Sequence, residues 1–318
     1  MIAYFILVHR YPSQFKRLFN AVYNSKNYYL IHIDKKANKS VHASVKLFLE
    51  DFTNASILKS QNVVWGGYSM VDIELKGIKK LLQLSKKWEF FVNLSGQDYP
   101  LKSQTDIRTY LKQNIGSSFL KITDQIQNRP NTLNRIYNFF VESSDGFIGK
   151  PIKRSYLPEV IPYIGGQWKI LSRDCCEFIT TSPKVAKFRK FYKNTLIADE
   201  SFFQTVLMNT KYIGKIVNDD KRAIIWIPDM GSILRSKTFL ANTTKELIAS
   251  GEIKLRPKTF TVSDYPYLSK STALFARKFD ETTDTTIFGL LDDKLNGIKA
   301  AKIGKLSVDM LPSAEMYL

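Results

Sequence analysis

Apolar runs rich in β-branched and aromatic residues alternate, through the N-terminal half of the chain, with stretches in which apolar residues recur at helical spacing. "AYFILV" (Ala3 to Val8) reads as a buried strand. Behind it Phe15, Leu18, Phe19 and Val22 fall on one helical face, with Ser13 as the expected cap. "YYLIHID" (Tyr28 to Asp34) and "ASILKS" read as the next strands and "EFFVNLSG" (Glu89 to Gly96) as another, followed by "QDYPLKS" as a loop and "TDIRTYLKQ" as a helix. This order predicts an α/β fold with a mixed, mostly parallel central sheet flanked by helices. In such sheets a ligand lies at the carboxyl ends of the strands, where "HR", "DKK", "WGGYS" and "SGQDYP" stand here.

The stretch "NVVWGGYSMVDIELKGIKKLL" (Asn62 to Leu82) opens as a strand, breaks at Gly66 and Gly67 and resumes as an amphipathic helix. Val71, Leu75, Ile78 and Leu82 form its apolar stripe, with Ser69 as the expected cap. Two adjacent glycines suit a backbone that another group approaches too closely for a side chain, or a plain strand-to-helix turn.

The second half is less regular. Residues 123–165 are rich in Asn, Tyr, Phe and Pro with weak periodicity, which predicts loops shaping a binding face. "GGQWKILSRDCCEFITTSP" suggests a strand and a helix, and "SPKVAKFRKFYKNT" a further helix. "DESFFQTVLMNT" predicts a helix whose acidic first turn, Asp199 and Glu200, complements its dipole. With no internal repeat and no low-complexity linker, one domain over residues 1–318 is expected.

Charge is the compositional outlier: 47 Lys and Arg against 29 Asp and Glu give a formal +18, so an anion matters to this chain. The basic residues are dispersed and carry neither zinc spacing nor an RNA-binding aromatic signature, which argues against a nucleic-acid partner. A peripheral contact with an anionic membrane stays open. The longest apolar runs fall far below the roughly 20 residues of a bilayer span. The N-terminus enters "MIAYFILVHR" without a basic region before it, so no secretory signal and a cytoplasmic location, or the inner face of the membrane, are expected. Cys175 and Cys176 are adjacent in an expected helix, where they suit neither a disulfide framework nor a metal site.

Taken together, "HRYPSQFKRLFNAVYNSKNYYLIHIDKK", "VVWGGYSMVDIELKGIKKLL", "WEFFVNLSGQDYPLKS", "ADESFFQTVL" and "FARKFD" resemble, in order and spacing, the core-2/I-branching N-acetylglucosaminyltransferase and protein xylosyltransferase family. The resemblance implies a GT-A-like glycosyltransferase fold, with residues 1–122 as the nucleotide-sugar-binding half, 123–295 as the acceptor-side and catalytic half, and 296–318 as a tail. It also implies inverting transfer from a UDP-sugar.

The implied donor contacts are Val8, Asp34, Val64 and Trp65, with Gly66 and Gly67 turning beside the donor and Asp98 of "SGQDYP" reaching the sugar and diphosphate. The family is metal-independent, and this chain has no Asp-x-Asp triplet: Asp219 and Asp220 are adjacent, as are Asp292 and Asp293, and His9, His32 and His42 are dispersed. No metal and no other cofactor are therefore expected. Instead, Lys278 matches the family lysine that neutralises the leaving diphosphate, with Arg277 beside it and Lys258, or else Arg256, as the second cation. Glu200 matches the catalytic base, Asp199 its acidic neighbour, and Trp226 an acceptor-lining tryptophan.

The chain is expected to depart from animal members in lacking an anchor and a disulfide framework, and in residues 229–256, which do not match the short family connection and read as an acceptor-side or membrane-side insertion. It is similar to a bacterial, cytoplasmic version. The expected reaction moves N-acetylglucosamine to a hydroxyl of a glycan or lipid-linked glycan, forming a β-1,6 branch in surface polysaccharide. Xylose or another UDP-sugar is the variant, and a non-catalytic glycan- or nucleic-acid-binding protein on the same scaffold is the alternative.

Overall fold

The computed structural model describes residues 1–229 and 254–297, which fall into two compact units: 1–96 with 104–221, and 97–103 with the residues from Arg222 on. Most of the expected 229–256 insertion and of the 296–318 tail lies outside the described residues. No described helix is long and apolar enough to cross a membrane.

The larger unit is built on a seven-stranded sheet. Strand β1 (Ile2–Val8) lies in its interior, parallel to β2 (Tyr28–Ile33) on one side and to the middle strand β4 (Phe90–Ser95) on the other, and β3 (Ala55–Leu58) extends the sheet beyond β2. Past β4 come Lys169–Ser172, antiparallel, then Ser118–Leu120 and Ile216–Val217. The sheet is thus mixed and mostly parallel, as expected, and its central strands are buried on both faces, which is why β1 is apolar without alternation.

Helix α1 (Pro12–Val22) buries Phe15, Leu18, Phe19 and Val22, the face expected from spacing. Its N-cap is Tyr11 in the left-handed region, and Ser13 is inside the helix: Pro12 takes the first helical position, where its fixed φ fits and no donor is missed. Helix α2 is Lys39–Leu49, and α3 is Tyr68–Leu84 with Gly67, not Ser69, at the N-cap. Ser69 instead accepts the Val64 N–H through Oγ at 2.8 Å. The buried face of α3 keeps Val71, Leu75 and Ile78 of the expected stripe and adds Ile73, Gly77, Leu81 and a charged residue, Glu74, while Leu82 is half-buried.

Residues 123–165, expected as loops, contain a hairpin, Asn138–Glu142 against Phe147–Lys153, among shorter elements. Arg173–Thr181 follows its strand as expected, capped by Ser172, and both cysteines are buried free thiols.

In the smaller unit, Asp98–Pro100 pairs antiparallel with Phe275–Arg277, which runs parallel to Arg222–Ile224. "QDYPLKS" is therefore partly a strand rather than a loop. A second pair joins Trp226–Pro228 to Leu255–Pro257. Tyr99 packs edge-on to Phe279 and Phe288 and donates its hydroxyl to Asp292 Oδ1, fixing helix Thr286–Leu295 against the strands.

Candidate active site

In the larger unit the strand ends are linked by backbone hydrogen bonds. The Asp34 N–H donates to the Val8 carbonyl at 2.9 Å, and Val8 itself is buried at the end of β1. Asp34 Oδ1 accepts the Lys36 N–H at 2.8 Å, a turn that leaves the carboxylate lone pairs beyond that bond. Lys36 Nζ donates to the Val63 carbonyl at 2.9 Å, tying the Asp34 turn to the segment that carries the glycines. On the same strand His32 accepts the Gln61 N–H at 3.1 Å, and burial lowers its pKa to about 4, so it serves that bond as the neutral ring.

Val64 is buried, whereas Trp65 is 74% exposed. Gly66 has φ +73°, where a side chain is strained, and its carbonyl accepts the Ile197 N–H at 2.6 Å. At Gly67 a Cβ would come 2.4 Å from the Glu142 carboxylate, which accepts the Ser69 N–H at 3.1 Å. The groups that crowd the two glycines are thus the chain's own: Ile197, its side chain nearest, at Gly66 and the Glu142 carboxylate at Gly67.

The Gly66 to Ile197 bond leads to the two acids. Asp199 and Glu200 lie on a one-turn 3₁₀ segment, Ala198–Glu200, separated by Ser201 from helix Phe202–Met208. The expected acidic first turn of that helix is therefore a turn of its own, with Ser201 at φ −135° breaking the helical path. Glu200 is partly exposed and its Oε2 lies 2.8 Å from Arg135 Nη1, while its carbonyl accepts the Gly165 N–H at 2.8 Å. Arg129 is a second guanidinium in this neighbourhood: burial and Arg135 lower its pKa, and Glu200 acts in the opposite sense.

Asp199 points the other way, into the protein. Its Oδ1 has no hydrogen-bond partner, and burial, reinforced by the charges of Glu200 and Glu74 and opposed by Lys169, raises its pKa to about 7. Glu74 and Lys169 form a fully buried ion pair at 2.5 Å, with Asn93 Nδ2 donating to Glu74 at 2.9 Å and Lys169 set 4.1 Å from the centre of the Phe203 ring. This pair, like Arg135 and Glu142, was not among the residues expected at the site. Lys169 had a local signal, a lysine at the head of an apolar strand, "WKILS", which requires a buried partner.

The smaller unit gathers the other expected residues. Asp98 and Arg277 are directly opposed in the sheet, with Arg277 Nη1 3.0 Å from the buried Asp98 Oδ1. The Lys278 N–H donates to the Lys258 carbonyl at 3.3 Å, and the Phe260 N–H to the Lys278 carbonyl at 2.8 Å, so the two lysines sit on neighbouring, hydrogen-bonded segments. Lys258 Nζ pairs with Asp264 at 2.5 Å. Trp226 is half-buried and opposes Pro257 one residue before Lys258. Arg256 is exposed, 3.9 Å from Asp229. Chemically, one unit offers a partly exposed carboxylate flanked by arginines, and the other a lysine beside two cations that are each held by a carboxylate.

The family described as "Core-2/I-Branching enzyme" matches residues 2–250. Xylosyltransferase 2 of Mus musculus is 29% identical over 306 residues, covering 93% of this chain and 34% of that protein. Xylosyltransferase 1 of Rattus norvegicus is 29% identical over 304 residues, covering 93% and 35%. The chain thus spans about a third of the length of these curated relatives. Among solved structures, galactosyltransferase LgtC with donor and acceptor sugar analogues aligns over 95% of this chain and 97% of its own at 7% identity, TM-score 0.44. Mouse xyloside xylosyltransferase 1 aligns over 87% and 97% at 9% identity, TM-score 0.39.

Proposed function

The chain belongs to the Core-2/I-Branching enzyme family, and we propose that it is an inverting glycosyltransferase moving a sugar from a UDP-sugar to a hydroxyl of a glycan acceptor. The observation that carries this reading is the Glu200 carboxylate: partly exposed, oriented by Arg135, and hydrogen-bonded through its turn to Gly66. Inverting transfer requires one carboxylate to take the acceptor proton while the hydroxyl attacks the anomeric carbon opposite the leaving diphosphate. Glu200 takes that role.

Val8, Asp34, Val64 and Trp65 contact the nucleotide, with Gly66 and Gly67 turning the chain beside it and Asp34 accepting from uracil or ribose donors. Lys278 meets the charge that develops on the diphosphate, assisted by Lys258 and Arg277. Asp98 acts by holding Arg277, and Trp226 stacks on an acceptor ring.

N-acetylglucosamine is the favoured donor sugar and a β-1,6 branch the favoured product, by resemblance to the branching enzymes. UDP-xylose is the second reading, favoured by the xylosyltransferases among the relatives. Without an Asp-x-Asp triplet in the sequence, the reaction is proposed to run without a metal. The test is UDP release from a panel of UDP-sugars with mixed glycan acceptors, with and without EDTA. Acceptor-dependent release from one donor, unchanged in EDTA, is expected. No release from any donor would contradict the transferase reading, and loss in EDTA restored by manganese would contradict the metal-free one.

A further inference from the structure

The hairpin of Asn138–Glu142 and Phe147–Lys153 belongs to the larger unit and presents two unlike faces. Its register pairs Phe139 with Ile152 and Val141 with Ile148. The register shifts between these two pairs, but Phe139 and Val141 stand two residues apart on one strand and residues directly opposed project to the same side, so these four apolar side chains share one face. All are exposed: Phe139 38%, Val141 41%, Ile148 57% and Ile152 68%. Phe140 and Phe147, offset by one residue, meet edge-on at 5.9 Å on the opposite side.

The hairpin is fastened to a basic segment. The Phe140 N–H donates to the Asn194 carbonyl at 3.0 Å, and Asn194 Nδ2 returns a bond to the Phe140 carbonyl at 2.9 Å. Just beyond the hairpin, Arg154 lies 3.8 Å from the centre of the Phe191 ring and donates to the Phe191 carbonyl and the Thr195 hydroxyl. The segment held this way carries Lys184, Lys187, Lys190 and Lys193, all exposed, at three-residue intervals. Lys150 and Lys153 are exposed on the hairpin itself. Of its two acids, Asp145 is at the tip, and Glu142 is turned onto the Ser69 N–H.

A face that joins exposed aliphatic and aromatic side chains to a surplus of lysines has the chemistry of a surface that meets anionic lipid: apolar groups enter the headgroup boundary and the ammonium groups meet the phosphates. The formal charge of +18 adds attraction at longer range. We propose that the apolar face of this hairpin docks the protein peripherally on an anionic bilayer, with Phe139, Val141, Ile148 and Ile152 at the headgroup boundary and the flanking lysines on the phosphates. The proposal stands apart from the transfer reaction, since it rests on no residue assigned to it.

The experiment is co-sedimentation with phosphatidylcholine vesicles containing about one-third phosphatidylglycerol, against pure phosphatidylcholine. Partition onto the anionic vesicles about tenfold or more above the neutral ones, released by salt, is expected. Ile148→Asp with Ile152→Asp should lower that partition about tenfold, with circular dichroism and melting temperature kept. Should that variant not fold, Ile148→Thr with Ile152→Thr, which keeps β-branched strand formers, should give the same direction. Lys187→Glu with Lys193→Glu should weaken binding and flatten its salt dependence. Equal retention on both vesicle types, or a folded Ile148 and Ile152 variant that binds like the parent, overturns the proposal. So does vesicle binding that is absent while gel filtration shows self-association lost in that variant, which would make the face a contact between copies.

Discussion

Arg135 Nη1 lies 2.8 Å from Glu200 Oε2, with both side chains only partly exposed. A guanidinium at this distance is a directional, charge-assisted partner, so it fixes where the proposed base points. Arg135→Leu removes that hold. Turnover is expected to fall about tenfold, with donor affinity little changed. Steady-state rates taken with donor binding by calorimetry measure this; parental turnover separates Arg135 from the base.

Gly67 and Glu142 make a paired prediction. Gly67 has φ −82°, open to any residue, so only the 2.4 Å approach of the Glu142 carboxylate opposes a side chain there. Gly67→Ala should displace Glu142 from the Ser69 N–H and cost about 1 kcal/mol, the worth of a helix cap. In a Glu142→Ala background the same substitution should cost close to nothing. Gly66→Ala should cost about 1–2 kcal/mol in either background, because its backbone is left-handed. Urea denaturation of the variants measures each difference, and an unchanged Gly67→Ala cost without Glu142 would reject the contact as its cause.

Asp199 predicts a pH dependence of stability. Its pKa is raised to about 7 in the folded chain from the ordinary 3.8, mainly by burial. Between those values the folded state holds a proton that the unfolded state has released, so stability falls as pH rises through this window. Asp199→Asn removes the ionisation and keeps the shape. It should equal the parent near pH 4 and exceed it above pH 8, by up to about 4 kcal/mol. Denaturation at both ends of the range reads the difference, and a variant less stable than the parent at high pH would reverse the assignment.

The Glu74 and Lys169 pair is fully buried. Lys169→Met leaves the carboxylate without its counter-ion and should cost about 3–5 kcal/mol. Adding Glu74→Gln removes the unpaired charge and should restore much of that. Thermal melts of the single and double variants test it; a double variant no better than Lys169→Met would show that the cost lies in packing against Phe203.

How far such features can be read in the sequence depends on where their causes lie. Strands β1 to β4, helices α1 and α3 and the helix Gln104–Gln113 are legible from apolar runs and helical spacing, whereas α2 had no expectation and the strand expected at Asn62 is not one. Asp98–Pro100 was not legible, since its three residues gain their strand character from Phe275–Arg277, far along the chain. The 138–153 hairpin exposes apolar residues where alternation would place polar ones, so its pattern resembles irregular chain. At the site, the positions of Glu200 and Lys278 were marked by motif. The Arg135 partner of Glu200 lies 65 residues away and carries no motif, and the crowding of Gly67 by Glu142 comes from a segment with no helical or strand signal of its own. Ser13 and Ser69, expected as caps, lie inside their helices because the N-caps, Tyr11 and Gly67, stand two positions earlier.

The most direct measurement of the central claim is steady-state transfer by Glu200→Gln, taken with donor binding by calorimetry. The substitution preserves size and removes basicity, so turnover should fall by about 10²- to 10⁴-fold. Donor affinity and fold should change little, because the lost step is removal of the acceptor proton. Near-parental turnover with a defined acceptor would contradict the assignment of Glu200 as the base.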